Sequence, residues 1–282
     1  MDLRKANKES PDLSIAVFAK IQEIFSRKKW PISEPFDEDY FDNFCKMLAG
    51  LNQEQCELIL TLTDKFLWIQ ENDYMSRFAD SFNLFISSFN FIRGKNIYLC
   101  PALSEDDFGK SKGSVDLLYK LTVHLKAIQH KYSDFQITYA DSPVTVDYDL
   151  IKANYTLCLI DDFIGTGETI ENALMFFRDK GITNDMIVIV SLVGMKTGIT
   201  KLNDIGYNTY VKITLDKGLT STKDDSKIKV MHTIEESIGV KDDFRFGYKG
   251  SEALVRMMKT PNNTFPIYWL RNKKNEYAPF PR

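Results

Sequence analysis

Two carboxylates stand side by side in the run LCLIDDFIGTGETI, Leu157 to Ile170. Asp161 and Asp162 follow an apolar stretch and precede a turn with Gly165 and Gly167 and with hydroxyls at Thr166 and Thr169. A carboxylate accepts hydrogen bonds from sugar hydroxyls. Glycines let backbone N–H groups close around an anion, and a following helix adds the positive end of its dipole. A phosphate cradle beside two carboxylates suits a ligand with hydroxyls close to a phosphate, which is the shape of a ribose 5-phosphate. Each part alone has a plainer use. An aspartate pair at a strand end can face solvent or cap the next helix, and a Gly-x-Gly turn is weak by itself. The order of apolar strand, two acids, Thr-Gly-x-Thr and helix favours the ligand.

Positioning these groups requires a sheet. From residue 96 onward, apolar runs alternate with helix-period segments. NIYLCPAL (96–103), FQITYA (135–140), YTLCLI (155–160), MIVIVSLVG (186–194) and YNTYVKITL (207–215) read as strands. GSVDLLYKLTVHLKAIQH (113–130), TIENALMFFRDKG (169–181) and KTGITKLNDIG (196–206) read as helices. Such alternation implies βαβ crossovers and a mostly parallel sheet covered on both faces. Ligands of such sheets bind at the carboxyl ends of the strands, where Asp161 and Asp162 fall. Residues from about 12 to 90 read as helical and rich in Phe, either as a module of their own or as helices packed onto the following core. The expected division is a helical N-terminal module at 1–92 and an α/β domain with a C-terminal tail at 93–282. The polar stretch DKGLTSTKDDSKIK (216–229) reads as a mobile loop.

The chain has 282 residues, enough to bury a core without staples. A net charge of -3 argues against global attraction to nucleic acid or anionic membrane. Its four cysteines form no CxxC pair and no Cys/His cluster with zinc spacing, so they read as free thiols of a reducing compartment. The first residues lack the apolar centre of a signal peptide, and no run approaches the ~18 apolar residues of a membrane span. A cytoplasmic protein without membrane contact is the expectation.

The run LCLIDDFIGTGETI resembles the phosphoribosyl-diphosphate-binding motif of type I phosphoribosyltransferases. The resemblance implies that Asp161 and Asp162 hold the ribose hydroxyls. It implies that Ile164, Gly165, Thr166, Gly167, Glu168 and Thr169 bind the 5-phosphate. Mg²⁺ would accompany the diphosphate, bridging its oxygens and the ribose, with Asp161 and Asp162 as candidate partners. In that fold an earlier strand feeds a diphosphate loop, here LSEDDFGKSKGS (103–114), with Gly109, Lys110 and Ser111 as candidates. Lys196 occupies a place where some purine-using relatives contact the base. Gly165 stands where purine-salvage members carry an aspartate, which argues against purine salvage. The tail segments FGYKGSEALV (246–255) and KTPNNTFPIYW (259–269) look like those of a phosphoribosyltransferase-like group in bacterial anti-phage and conflict systems, including effectors encoded beside retron reverse transcriptases. There Asn262 and Asn263 suit a turn or the reading of a base, and Trp269 suits a tail anchor.

The resemblance implies a cytoplasmic phosphoribosyltransferase-like transferase acting on phosphoribosyl diphosphate or a related nucleotide with Mg²⁺. It favours an effector of retron-like defence. The N-terminal helices would dock a regulator, a reverse transcriptase-containing ribonucleoprotein or an ATPase, and homodimers are common in the fold. Two other readings stay open: a sensor that binds phosphoribosyl diphosphate without catalysis, and nucleobase salvage.

Overall fold

The computed structural model describes residues 13–34, 38–88, 95–110 and 112–282. In chain order its elements are α1 (Ile15–Lys28), β1 (Ser33–Glu34), β2 (Glu38–Asp39), α2 (Tyr40–Ala49), α3 (Gln53–Lys65), β3 (Leu67–Trp68), α4 (Tyr74–Ser87) and β4 (Asn96–Pro101). There follow α5 (Gly113–Ala127), β5 (Gln136–Tyr139), α6 (Tyr148–Asn154), β6 (Thr156–Ile164), α7 (Glu168–Asp179), β7 (Ile187–Met195), α8 (Lys196–Asp204), β8 (Asn208–Leu215), α9 (Asp225–Ser237) and β9 (Val255–Arg256). Two compact units result, each assembled from separated segments. The expected helical module contributes α1, α2 and α3 to one unit and α4 to the other.

The larger unit, Ile69–Asp216 with Met257–Pro261, is the α/β unit. Its five strands run parallel in the order β5-β4-β6-β7-β8. The central strands are continuous apolar runs because both faces are covered. On one face Leu157, Leu159, Ile187 and Ile189 pack with Ile151 of α6, Leu174 and Phe177 of α7 and Leu202 of α8. On the other face α5 lies against β4 and β6, and α4 lies against β7 and β8. Phe78, Phe82 and Phe85 form the buried stripe of α4 at helical spacing. The hydroxyl of Ser81, on the same helix, accepts the N–H of Lys212 at 2.9 Å and fixes its register.

The chain enters this sheet at β4, moves outward to β5, and returns on the other side of β4 to β6. The turns leaving β4 and β6 therefore diverge to opposite faces and open a crevice at the carboxyl edge, the topological switch point where such sheets take ligands.

The second unit comprises the described residues of Met1–Trp68, with Lys217–Arg256 and Asn262–Arg282. Its core is aromatic. Trp30, Phe44, Phe66 and Trp68 from the N-terminal segment pack with Phe265, Tyr268 and Phe280 of the tail. The parallel pair β3 and β9 ties the two segments together. The guanidinium of Arg256 stacks over Tyr40, Trp68 and Phe280 at 4.6, 5.0 and 4.9 Å from the ring centroids. The indole N–H of Trp269 donates to the carbonyl of Thr264 at 2.7 Å.

The stretch 216–229 is not the loop that its polarity suggests. Leu219 is buried under the carboxylate of Glu252, and Asp224 caps α9 by accepting the N–H of Lys227 at 3.3 Å. The lysines and aspartates of this stretch form the solvent side of an ordered turn and helix start. Among the described residues no helix is long and apolar enough to cross a membrane.

Candidate functional site

Strand β6 does not stop at Ile160 but runs on through the two aspartates to Ile164. Asp161 still pairs with Ser191 of β7, and Phe163 with Val193. The carboxylates are thus held by ladder backbone, stiffer than a loop would be. Asp161 is 8% exposed, and Asp162 is half-buried. The N–H of Asp162 donates to Oδ1 of Asp161 at 2.9 Å. The hydroxyl of Tyr74 donates to Oδ2 of Asp162 at 3.1 Å. Gly113, the first residue of α5, lies against the same carboxylate: a Cβ there would sit 2.2 Å from Oδ2 of Asp162.

Burial pushes the Asp161 carboxyl well above its ordinary value, and the neighbouring Asp162 charge pushes it further, against a weaker pull from Lys112. Burial also raises Asp162, opposed by the Tyr74 hydroxyl, Asp161 and the local backbone N–H groups. The pair is short of positive charge, and neither member has an ion pair among the described residues.

The turn after β6 is built on glycines. Gly167 has φ +81°, the left-handed region that favours glycine, and it serves as the N-cap of α7. No side chain caps α7. Its first turn presents Glu168 and Thr169 at the edge beside the aspartates, with Thr169 exposed and Thr166 half-buried. Ile164 and Gly165 are buried, and α8 backs them closely. A Cβ at Gly198 would lie 2.2 Å from the carbonyl oxygen of Gly165, and one at Gly194 2.8 Å from Ile199. Gly198 of α8 thus lets the turn fold down onto that helix, and Gly194 of β7 makes room for Ile199 of α8. A tight turn with its helix start uncapped by any side chain is what an anion requires.

The loop after β4 faces this turn. Its path is set by Asp107, which accepts from Ser104 at 2.9 Å and pairs with Lys112 at 2.8 Å. Burial works against the Asp107 charge, but Lys112, Ser104 and Lys110 outweigh it and hold the carboxyl below its usual range. Gly109 has φ +75° with open space around it, and Lys110 is exposed, 3.9 Å from Asp107. Ser111 lies outside the described residues. Lys196 opens α8 at the same sheet edge, where its ammonium pairs with Asp216 at 2.7 Å.

Asn262 and Asn263 belong to the other unit. Asn263 is buried, with its amide donating to the Ser251 hydroxyl at 3.1 Å and its carbonyl accepting from Ala253 N–H and Ser251. The carbonyl of Asn262 accepts the N–H of Tyr248 at 2.8 Å. The structure therefore gathers Asp161, Asp162, the 164–169 turn, Gly109, Lys110 and Lys196 on one edge and places the asparagine pair in a packed turn. Tyr74, Lys112 and Gly113 were missed by sequence reasoning. Lys112 and Gly113 lay within the suspected diphosphate loop, whereas nothing local marks Tyr74, which meets Asp162 across 88 positions.

The chain is a doubly wound α/β protein with a carboxylate pair and an uncapped helix start at its switch point. It belongs to the PRTase-CE family, a phosphoribosyltransferase family whose pattern matches residues 38–282. No curated protein matches the chain. Among solved structures it is similar to an orotate phosphoribosyltransferase from Aeropyrum pernix, at 16% identity over 55% of this chain and 78% of that one. The TM-score of 0.34 makes that likeness too loose to carry residues across.

Proposed function

We propose that the carboxyl edge of β4 and β6 binds 5-phosphoribosyl diphosphate and that the chain transfers its phosphoribosyl group. The observation that carries this reading is the Asp161–Asp162 pair, held by strand β6 directly before the Gly167-capped start of α7. The aspartates accept the ribose hydroxyls, and the 164–169 turn receives the 5-phosphate on its backbone N–H groups. Lys110 and Lys112 lie on the facing loop, where they offer charge to the diphosphate. In the reaction the bond from ribose C1 to diphosphate oxygen breaks, and its electron pair leaves with the diphosphate. A lone pair of the acceptor closes on C1, where positive charge has developed. Fixed negative groups near the ring stabilise that charge.

Mg²⁺ fits this donor set. Among the described residues no cluster of three or more His, Cys, Asp or Glu side chains forms a metal cage. Mg²⁺ is held by one or two carboxylates plus substrate oxygens, and the adjacent Asp161 and Asp162 are the residues that would hold it. When bound, the ion would neutralise charge on the departing diphosphate.

The acceptor is the open part of the reaction. The glycine at position 165 speaks against purine salvage. The tail segments and the helices before β4 support an effector in bacterial defence, switched by a protein or ribonucleoprotein partner. Incubation with phosphoribosyl diphosphate and Mg²⁺ tests the reading: release of diphosphate is expected. Binding without release would convert the enzyme into a sensor, and no binding would overturn the proposal.

A further inference from the structure

The two aspartates are not held alike. Asp161 is fixed by its own strand, accepting the next residue's N–H. Asp162 takes local backbone N–H groups too, but it is also held from outside β6, by two elements on the α4–α5 face of the sheet. Tyr74 begins α4, four residues before Phe78 and on the same buried stripe as Phe78, Phe82 and Phe85. The packing of that stripe delivers the phenol to the strand end, where it is 1% exposed. A tyrosine hydroxyl has one proton to give. That proton is directed at Oδ2 of Asp162, 3.1 Å away. On its other side, the carboxylate fills the space that a side chain at residue 113 would take.

We propose that Tyr74 and Gly113 are positioning residues that seat the Asp162 carboxylate for the ribose hydroxyls, an inference that rests on the ribose-phosphate reading of this edge. Tyr74 holds one carboxylate oxygen by its hydrogen bond and leaves the other for the ribose. Gly113 keeps the seat open. Both residues meet the Asp162 carboxylate itself, so their influence falls on the sugar and spares the phosphate.

That division gives the test. Affinities for ribose 5-phosphate and for inorganic phosphate are measured by calorimetry, with Mg²⁺, on the full chain and on Tyr74→Phe, Asp162→Asn and the double variant. Tyr74→Phe keeps the ring and its packing. It should weaken ribose 5-phosphate about tenfold and leave inorganic phosphate unchanged. In the Asp162→Asn background the same change should cost nothing further, because it acts through that carboxylate. Gly113→Ala should reproduce the selective loss by unseating Asp162. An equal loss of both ligands in Tyr74→Phe, or an undiminished loss in the Asp162→Asn background, would overturn the positioning role. Failure of the unmutated protein to bind ribose 5-phosphate would instead remove the reading beneath it, and the unmutated protein alone reveals that.

Discussion

Buried carboxylates occur in both units, and they are treated in opposite ways. In the unit built from the chain's two ends, Glu252 is 2% exposed and sits at φ +53°. It accepts the N–H groups of Leu219 and Thr220 at 2.9 and 2.7 Å and the Thr220 hydroxyl at 2.5 Å, with the Lys217 ammonium 3.7 Å away. Glu235 takes the N–H of Phe246 on both oxygens, at 2.9 and 3.0 Å. These groups serve the backbone, closing turns that contain left-handed residues at Phe246, Gly247, Lys249 and Gly250. In the α/β unit, Asp161 and Asp162 lean on each other, on local N–H groups and on one phenol. A carboxylate that holds a fold is surrounded by donors. One left short of donors, beside a second of the same charge, is matched to a ligand that brings hydroxyls or a cation. At Glu252 the carboxylate therefore stabilises the fold, whereas the aspartate pair costs stability, as functional sites commonly do.

Substitution should separate the two treatments, most strongly at Glu252. Glu252→Ala leaves the N–H groups of Leu219 and Thr220 and the Thr220 hydroxyl without their acceptor, so urea unfolding should show a loss of about 3 kcal/mol. A loss below about 1 kcal/mol would mean that the network is not structural. Glu235 offers a pH-dependent contrast. Burial pushes it up to about 7, against the Phe246 N–H and the Arg245 charge, with Glu252 adding to the rise. An acid with a raised folded pKa binds its proton more tightly in the fold than out of it. Its contribution is therefore fully present below its ordinary value of 4.5 and is lost as pH rises through about 7. Glu235→Gln should remove on the order of 2 kcal/mol of this pH dependence, read as a flatter difference in urea midpoint between about pH 5 and pH 8. The Asp161→Asn/Asp162→Asn variant should move stability the other way, up by about 1 kcal/mol at neutral pH, because the burial and repulsion that raise both carboxyls are relieved. A large destabilisation there would erase the distinction between the units. Lys196→Ala should matter least to the fold. Its pair with Asp216 is exposed on both sides, and the melting midpoint should stay within the change expected for about 0.5 kcal/mol.

Much of the α/β unit was legible because burial on both faces demands continuous apolar strands. LCLI of β6 and IVIVSLV of β7 could hardly be placed elsewhere. The site was legible where its chemistry is local: two adjacent acids, and a glycine turn that needs a positive φ at Gly167. Contacts between distant segments were not. The stripe of Phe78, Phe82 and Phe85 announces a helix face to be buried, yet says nothing of whether it meets α1–α3 or the sheet. Tyr74 carries no mark of its partner, since a phenol at a helix start is ordinary. The polarity of 216–229 misled because Asp224 spends its charge on capping α9, a use indistinguishable by composition from a solvated loop.

The Asp161–Asp162 edge is proposed as a ribose-phosphate site and not a strained end of a strand. Calorimetric titration of 5-phosphoribosyl diphosphate with Mg²⁺ into the full chain and into Asp161→Asn/Asp162→Asn decides between the two. Saturable binding to the first is predicted, with a loss of at least about a hundredfold in the second and an unchanged circular dichroism spectrum. Equal affinity for the two proteins would contradict the account.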